Sequence, residues 1–303
     1  MKTLWVAAAV CVQLSGYACD VCGCRVAYSN WQYSQNFTSS MQLGYQQVVF
    51  HSEHFADNVL DKDHYAEELF RILTLQGRYA LSDRWMIQAN IPFVLNTYRD
   101  IDVLNSTTAL GDIQVSTFYR VIQSEERLKF NLDLGLGLKG PSGSWQDASG
   151  SLPASILPGT GSWDWSAFLA AGYMLNETSS VGLSAVAVLP GENDFARRFG
   201  RQYQLQSGYE QLIYTSLEKG WSVSGQVGYS YLKDEDDLQR YGSEQFTVAN
   251  SGGEFHSAFF GFKWMTDVWS FGVQTSVPLH QSFAEGKVKA QPTAQFNIKY
   301  NFN

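Results

Sequence analysis

The sequence is poor in the features that mark several common protein classes. Four cysteines among 303 residues are too few for a small fold held by disulfides. Its 21 basic residues are outnumbered by 29 acidic ones, and an acidic surface disfavours nucleic acid as a partner. No segment offers about 18 consecutive apolar residues, so no transmembrane helix is expected. Phosphate-binding loops, dinucleotide fingerprints and zinc-protease motifs are also missing.

The first residues have the pattern of an export signal. Lys2 precedes an apolar run from 4 to 12, and Gly16-Tyr17-Ala18 supplies a small-x-small cleavage site. We therefore predict a signal peptide over residues 1–18 and a mature chain that begins at Cys19. Export, together with an aromatic content of 15%, favours an all-β protein.

Period-two alternation is the strongest pattern in the chain. In residues 128–138, Leu-Lys-Phe-Asn-Leu-Asp-Leu-Gly-Leu-Gly-Leu, large apolar side chains alternate with polar residues or glycine, which predicts a strand with one wet and one apolar face. The same pattern predicts about twelve strands. They cover roughly residues 40–50, 69–80, 85–95, 111–122, 128–139, 163–174, 180–190, 201–215, 221–232, 255–265, 268–278 and 289–302.

The connections between these strands alternate in length. Short turns at 81–84, 175–179 and 216–220 alternate with long polar loops such as 140–162 and 233–254, and both termini fall on the short side. This arrangement is typical of an up-and-down antiparallel β-barrel that crosses the outer membrane of a Gram-negative bacterium. A soluble β-sandwich is the alternative, but sandwiches do not favour this loop asymmetry.

The barrel model assigns a face to each residue of the last strand. Even positions from Ala290 to Phe302 would face lipid, while odd positions from Lys289 to Asn301 would line a wet lumen. The barrel would occupy residues 40–303, preceded by a periplasmic segment over 19–39. Residues 25–40 could extend into the periplasm or form a plug inside the barrel.

The closing strand carries a further pattern. It ends in Tyr300-Asn301-Phe302, followed by Asn303, and resembles the carboxy-terminal signal of outer-membrane barrels, which usually finish on an aromatic residue. The resemblance implies surrounding outer-membrane lipid and recognition by the barrel-assembly machinery during biogenesis.

Two internal motifs are more specific. Leu110-Gly-Asp-Ile-Gln-Val115 with Tyr119-Arg120, and Leu157-Pro-Gly-Thr-Gly-Ser-Trp163, resemble recurrent patterns of the transporter barrels grouped with the MetA pathway of phenol degradation. The resemblance covers residues 40–303. It implies a porin-like channel or transporter that passes small solutes across the outer membrane and is not an enzyme.

The inward faces of the predicted strands carry a mixed set of charges. They would either line a narrow polar passage, as a barrel of about twelve strands allows, or pair with each other and fill the lumen. The predicted lumen-lining residues are Asp112, Arg120, Lys129, Asp133, Glu210 and Lys299.

Three cysteines lie close together at the start of the mature chain. Cys19, Cys22 and Cys24 have C-x-x-C-x-C spacing, which can supply thiolates to a soft metal ion such as Cu(I) or Zn(II). The same residues could instead hold a disulfide, or Cys19 could carry a lipid anchor, although the leucine usual three residues before a lipidated cysteine is absent. A metal-binding or redox-linked barrel is therefore the alternative function.

A third hypothesis is an outer-membrane lipid hydrolase. His280 and Ser282 are two residues apart, and this His-x-Ser pair resembles that of outer-membrane phospholipases. Ser282 would act as nucleophile and His280 as base, but the sequence supplies no residue to orient the histidine.

Overall fold

The structure is a computed structural model that describes residues 37–54, 64–100, 104–123, 129–145, 156–216 and 218–302. The predicted signal peptide lies outside these ranges. Within them, no helix is long and apolar enough to cross a bilayer.

Nearly every regular element in the described part of the chain is a β-strand, as the alternation predicts. A 3₁₀ turn lies at Ala284–Gly286. The strands are β1 (Ser40–His54), β2 (His64–Ala80), β3 (Trp85–Arg99), β4 (Leu104–Leu110), β5 (Gln114–Ile122), β6 (Phe130–Lys139), β7 (Asp164–Met174), β8 (Ser179–Leu189), β9 (Arg197–Arg198), β10 (Gln202–Ser216), β11 (Trp221–Asp234), β12 (Leu238–Tyr241), β13 (Glu244–Thr247), β14 (Gly253–Thr266), β15 (Trp269–Gln281), β16 (Val288–Ala290) and β17 (Thr293–Asn301).

Fourteen of these strands form one closed antiparallel sheet. β4 and β5 both pair with β3 and together occupy one strand position of the wall. In the same way, β16 and β17 both pair with β1, so the barrel has 14 − 2 = 12 strand positions. The barrel closes through β1, where Ser40 pairs with Arg78 of β2 on one side and Asn301 of β17 on the other. The predicted transmembrane up-and-down barrel is confirmed. A separate small sheet, β13-β12-β9, lies beyond the wall strands.

The last barrel strand contains a one-residue register shift. Phe50 pairs with Ala290, whereas Gln47 pairs with Ala294. An extra residue in one strand moves the following side chains to the opposite face. Phe296 faces outward as predicted, but the lipid-facing position predicted for Ala290 is wrong, because Ala290 points inward and is only 4% exposed.

The outward residues form a continuous apolar surface. Leu134 and Leu136, in the segment with the strongest alternation, are 45% and 60% exposed. At the short-turn end, aromatic pairs such as Trp85 with Tyr119 and Trp269 with Tyr300 lie 4.8 Å apart between ring centroids. An apolar band with an aromatic girdle is what the lipid core and its interface require. The protein therefore resides in the outer membrane, with its short turns toward the periplasm.

Two strands continue beyond the predicted limits at the external end. The connection between the first two predicted strands, 40–50 and 69–80, begins and ends as a hairpin, in which His51 of β1 pairs with Glu67 of β2. Their side chains also meet, with His51 Nε2 3.2 Å from Glu67 Oε2. Because these residues extend above the apolar band, ladder hydrogen bonds continue there while charged side chains stay in water.

Apolar side chains fill part of the barrel interior. Near the external end, inward residues of β1 and β2 pack around two loop residues, Ile156 and Phe283, which are 0% and 2% exposed. A second cluster on the inward faces of β3, β5, β7 and β8 includes Phe118 and Phe168, and Phe37 packs against it from just before β1. Loop residues and Phe37, just before β1, therefore enter the lumen.

Candidate functional site

The lumen has two unlike halves. The filled half is formed by β2, β3, β5, β6 and β7, whose inward side chains are mostly buried. The wet half is formed by β8, β10, β11, β14, β15 and β17, where many inward side chains are half-buried and face open space. Polar residues of the wet half include Gln204, Gln206, Gln226, Gln274, Ser230 and Ser276.

The filled half contains a buried ion pair near the periplasmic end. Arg120 of β5 and Asp133 of β6 are 2% and 1% exposed. The Arg120 Nε and Nη2 groups donate to the two Asp133 carboxylate oxygens at 2.7 and 3.0 Å. The guanidinium also lies 4.2 Å from the ring centroid of Phe37. This bidentate pair holds two adjacent strands and the residue that enters the lumen before β1 in one packed unit.

A second buried network closes the external part of the filled half. Lys139 Nζ lies 3.1 Å from Asp112 Oδ2 and 2.5 Å from Asp164 Oδ2, and it donates to Thr160 Oγ1 at 2.8 Å. Asp112 also accepts hydrogen bonds from the backbone N–H groups of Gly143 and Thr160, each at 2.9 Å. One ammonium thus joins Asp112, between β4 and β5, and Asp164, at the start of β7, to the loop that precedes β7.

Glycines allow that loop to approach the wall closely. A Cβ on Gly159 would lie 2.8 Å from the Gly143 carbonyl carbon and 2.9 Å from Asp112 Oδ1. A Cβ on Gly143 would in turn lie 2.9 Å from the carbonyl carbon of Gly111. Such distances exclude any side chain, so the two sequence motifs that contain Gly111 and Gly159 meet in space and fix the loop against the barrel.

Three cavities follow one another along the wet half. The lower cavity, of about 320 Å³, lies at the periplasmic end. The middle cavity, of about 80 Å³, shares Glu210 and Lys263 with the lower one. The upper cavity, of about 70 Å³, shares Gln206 and Gln274 with the middle one and ends beside Phe255. They form a narrow polar route along one wall.

The lower cavity gathers most of the charge of the wet half. Glu210 and Lys299, both predicted to face the lumen, line it together with Arg78 and Lys263. Lys263 Nζ donates to Glu210 Oε2 at 3.0 Å, and Ser224 Oγ donates to Glu210 Oε1 at 2.8 Å. Arg78 and Lys263 could have been found from the sequence, because both occupy inward-facing positions in the alternation of their strands.

The predicted lumen residues do not form a single site. Arg120 and Asp133 pair with each other, and Asp112 belongs to the Lys139 network. Lys129 lies immediately before β6 at the periplasmic end and is exposed. Lys139 is not among the predicted lumen residues, although in the strand predicted over 128–139 it shares the inward face of Asp133.

The residues of the other two hypotheses lie elsewhere. His280 is exposed near the external end of β15, where its ring faces that of His256 at a centroid distance of 5.5 Å. Ser282 donates its backbone N–H to Glu254 O, and no hydrogen bond joins the side chains of His280 and Ser282 in the described part of the chain. Cys19, Cys22 and Cys24 lie outside the described residues, so the copper or zinc site stays a prediction.

The Arg120 pair offers a direct test of the filled half. Replacement of Asp133 by Asn should lower the free energy of unfolding by about 3 to 5 kcal/mol, because the buried guanidinium loses its counter-charge. The measurement is urea unfolding in lipid vesicles. Glu192→Gln is the matched control, since Glu192 pairs with Arg240 in the exposed external sheet, and no measurable change is expected there. Equal losses in the two variants would contradict a packed interior.

Residues 64–301 match the model of the family described as "Putative MetA-pathway of phenol degradation". The chain belongs to this family. No curated protein matches the sequence.

Among solved structures, this family member is similar to the COG4313 outer membrane channel from Pseudomonas putida F1. The two share 17% sequence identity, with a TM-score of 0.67 over 90% of this chain and 98% of that one. The β domain of the Bordetella autotransporter BrkA is also similar, with 10% identity and a TM-score of 0.54 over 88% of this chain and 100% of that domain. At these identities the likeness establishes the barrel fold.

Proposed function

We propose that the barrel is a channel that passes small solutes across the outer membrane through the wet half of its lumen. The observation that carries this proposal is the row of three cavities, in which each shares lining residues with the next. If the whole lumen were packed for stability, side chains would fill the space of these cavities, because protein interiors pack to high density.

The chemistry of the route suits passage. Above Glu210 and Lys263 its lining is largely neutral, with glutamine amides and serine hydroxyls that can donate and accept hydrogen bonds. For example, Gln226 Nε2 donates to Gln274 Oε1 at 2.8 Å along the wall, over Gly261 of the strand between them. Neutral groups can replace part of a solute's hydration without holding it tightly, and conduction requires binding weak enough for release.

The dimensions of the route limit the size of the solute. The middle and upper cavities hold about 80 and 70 Å³. At the upper end Phe255 stacks on Phe283, with ring centroids 6.0 Å apart and planes inclined by 25°. This constriction favours small solutes over the large polar cargo of wider porins.

A bulky residue in the route tests the proposal. Replacement of Gln274 by Trp should reduce single-channel conductance strongly, because Gln274 lines both the middle and the upper cavity. Val273→Trp is the matched control, since Val273 precedes Gln274 in β15 and is 50% exposed on the lipid side. Conductance in planar bilayers should fall for the first variant and stay unchanged for the second. Identical conductance in both variants would refute passage along the wet half.

A further inference from the structure

The lower cavity differs in charge from the rest of the molecule. The whole chain has a net charge of −8. Around this cavity, however, three cations face two anions, and one of those anions, Glu177, is an exposed residue of the turn at its mouth. The acidic residues of the chain therefore do not neutralise this end of the lumen.

The cations occupy neighbouring strands at one level of the wall. In the ladder, Lys299 of β17 pairs with Gln42 of β1, and the adjacent β1 residue with inward parity, Ser40, pairs with Arg78 of β2. On the other side, Ser270 of β15 pairs with Lys299, and Lys263 of β14 pairs with Gly272 of the same strand. Arg78, Lys263 and Lys299 thus form a basic arc across five consecutive strands.

The charges of the arc are incompletely satisfied within the described part of the chain. Glu210 pairs with Lys263, but no ion pair reaches Lys299, and both Arg78 and Lys263 repel its ammonium. Arg78 is 9% exposed, and its one hydrogen bond among these residues runs from Nε to the neutral oxygen of Gln88 at 3.0 Å. Clustered and partly buried cations with too little counter-charge are costly, and an anion between them lowers that cost.

Neutral donors complete the surroundings. Asn297, Asn176 and Gln42 carry amide N–H groups, and Ser180 and Ser270 carry hydroxyls at the same cavity. A volume of about 320 Å³ lies at the lower end of the range for small-molecule sites. A planar guanidinium can also bind two oxygens of one carboxylate or phosphate group.

We propose that the basic arc is a binding site for small organic anions, in which Arg78 and Lys299 hold the anionic oxygens and Lys263 adds charge while paired with Glu210. This proposal deepens the proposed function, because it makes the channel selective for anions. A solute would meet the site at the periplasmic end of the route, below the neutral glutamine-lined section. Its anionic group is a carboxylate or a phosphate, since both present the same oxygens.

The first experiment measures ion selectivity and block with the full-length mature protein in planar bilayers. Under a potassium chloride gradient, the reversal potential should show a preference for chloride, and benzoate should reduce the current at concentrations where neutral benzamide has no effect. Inorganic phosphate in a parallel titration distinguishes phosphate from carboxylate recognition: stronger block by one of them identifies the preferred group, and no block by either refutes the site.

Two variants test the arc itself. Lys299→Gln removes a charge, while Ser270→Glu adds an acid directly opposite Lys299 and deletes no basic residue. Each should weaken benzoate block about tenfold, the loss expected for one charge-assisted hydrogen bond, and shift the reversal potential toward potassium. Lys233→Gln is the control, because Lys233 pairs with Glu254 on the exposed outer face and should change nothing. Unaltered selectivity in both arc variants would overturn the proposal.

Equilibrium binding separates this proposal from the proposed function. Calorimetric titration of benzoate into detergent-solubilised protein does not depend on conduction. Binding that is lost in Lys299→Gln, in a protein that passes no current, would support the site and refute the channel. Conductance without chloride preference or benzoate binding would refute the site and support the channel.

Discussion

Arginine in place of Val227 should lower the free energy of unfolding by about 2 to 4 kcal/mol, the cost of a charged side chain on the lipid face near the centre of the bilayer. Val227 lies in the middle of β11 and is 53% exposed. Because the surrounding surface is lipid, its exposed side chain contacts hydrocarbon, where a guanidinium loses its hydration. The measurement is reversible urea unfolding in vesicles with a thickness matched to the outer membrane.

The neighbouring residue supplies the control for this experiment. Gln226 points into the middle cavity, so Gln226→Arg places the same side chain, one residue away, in a polar lumen. This variant should cost no more than about 1 kcal/mol. A loss at Gln226 as large as the loss at Val227 would contradict the assignment of inner and outer faces in β11.

Replacement of Lys139 by Met should lower the free energy of unfolding by about 3 to 5 kcal/mol. Among the residues that the structure describes, Lys139 supplies the only ammonium in contact with Asp112 and Asp164, which are 8% and 2% exposed. Two buried carboxylates would then repel each other without compensation. The loop before β7 should detach, so limited proteolysis should cut it faster than in the wild type.

The exposed pair of Lys233 and Glu254 provides the comparison for Lys139. Lys233→Met removes the same functional group from a pair that is open to solvent, and neither unfolding nor proteolysis should change measurably. If Lys139→Met proved equally harmless, the buried network would not fix the loop.

The sequence predicts the wall of the barrel well and its interior poorly. Alternation in residues 128–138 identifies β6 and its faces, because one side of that strand meets lipid throughout. The same method gives a weak signal for β1, where Val48 and Phe50 point inward and are 2% and 3% exposed. Where loops fill the lumen, both faces of a strand become apolar and the contrast that reveals a strand's register disappears.

The candidate site shows a similar division. Inward parity places Glu210 and Lys299 at the lower cavity, and it would have placed Arg78 and Lys263 there too. The odd or even position of a residue in its strand does not reveal which charges pair, because the pairing of Arg120 with Asp133 depends on the register between two strands. Nor does it reveal the shift at the join of β16 and β17, which moves Ala290 inward.

The unlike halves of the lumen also divide the sequence by role. Apart from Gln42, Gln46 and Arg78, the side chains along the three cavities come from residues 174–299. The buried ion pairs of the filled half come instead from residues 112–164. Substitutions in the two regions share few neighbours, so their free energies should add. The carboxy-terminal strands could therefore change to accept a new solute while the amino-terminal strands kept the barrel stable, a separation that favours diversification of the route.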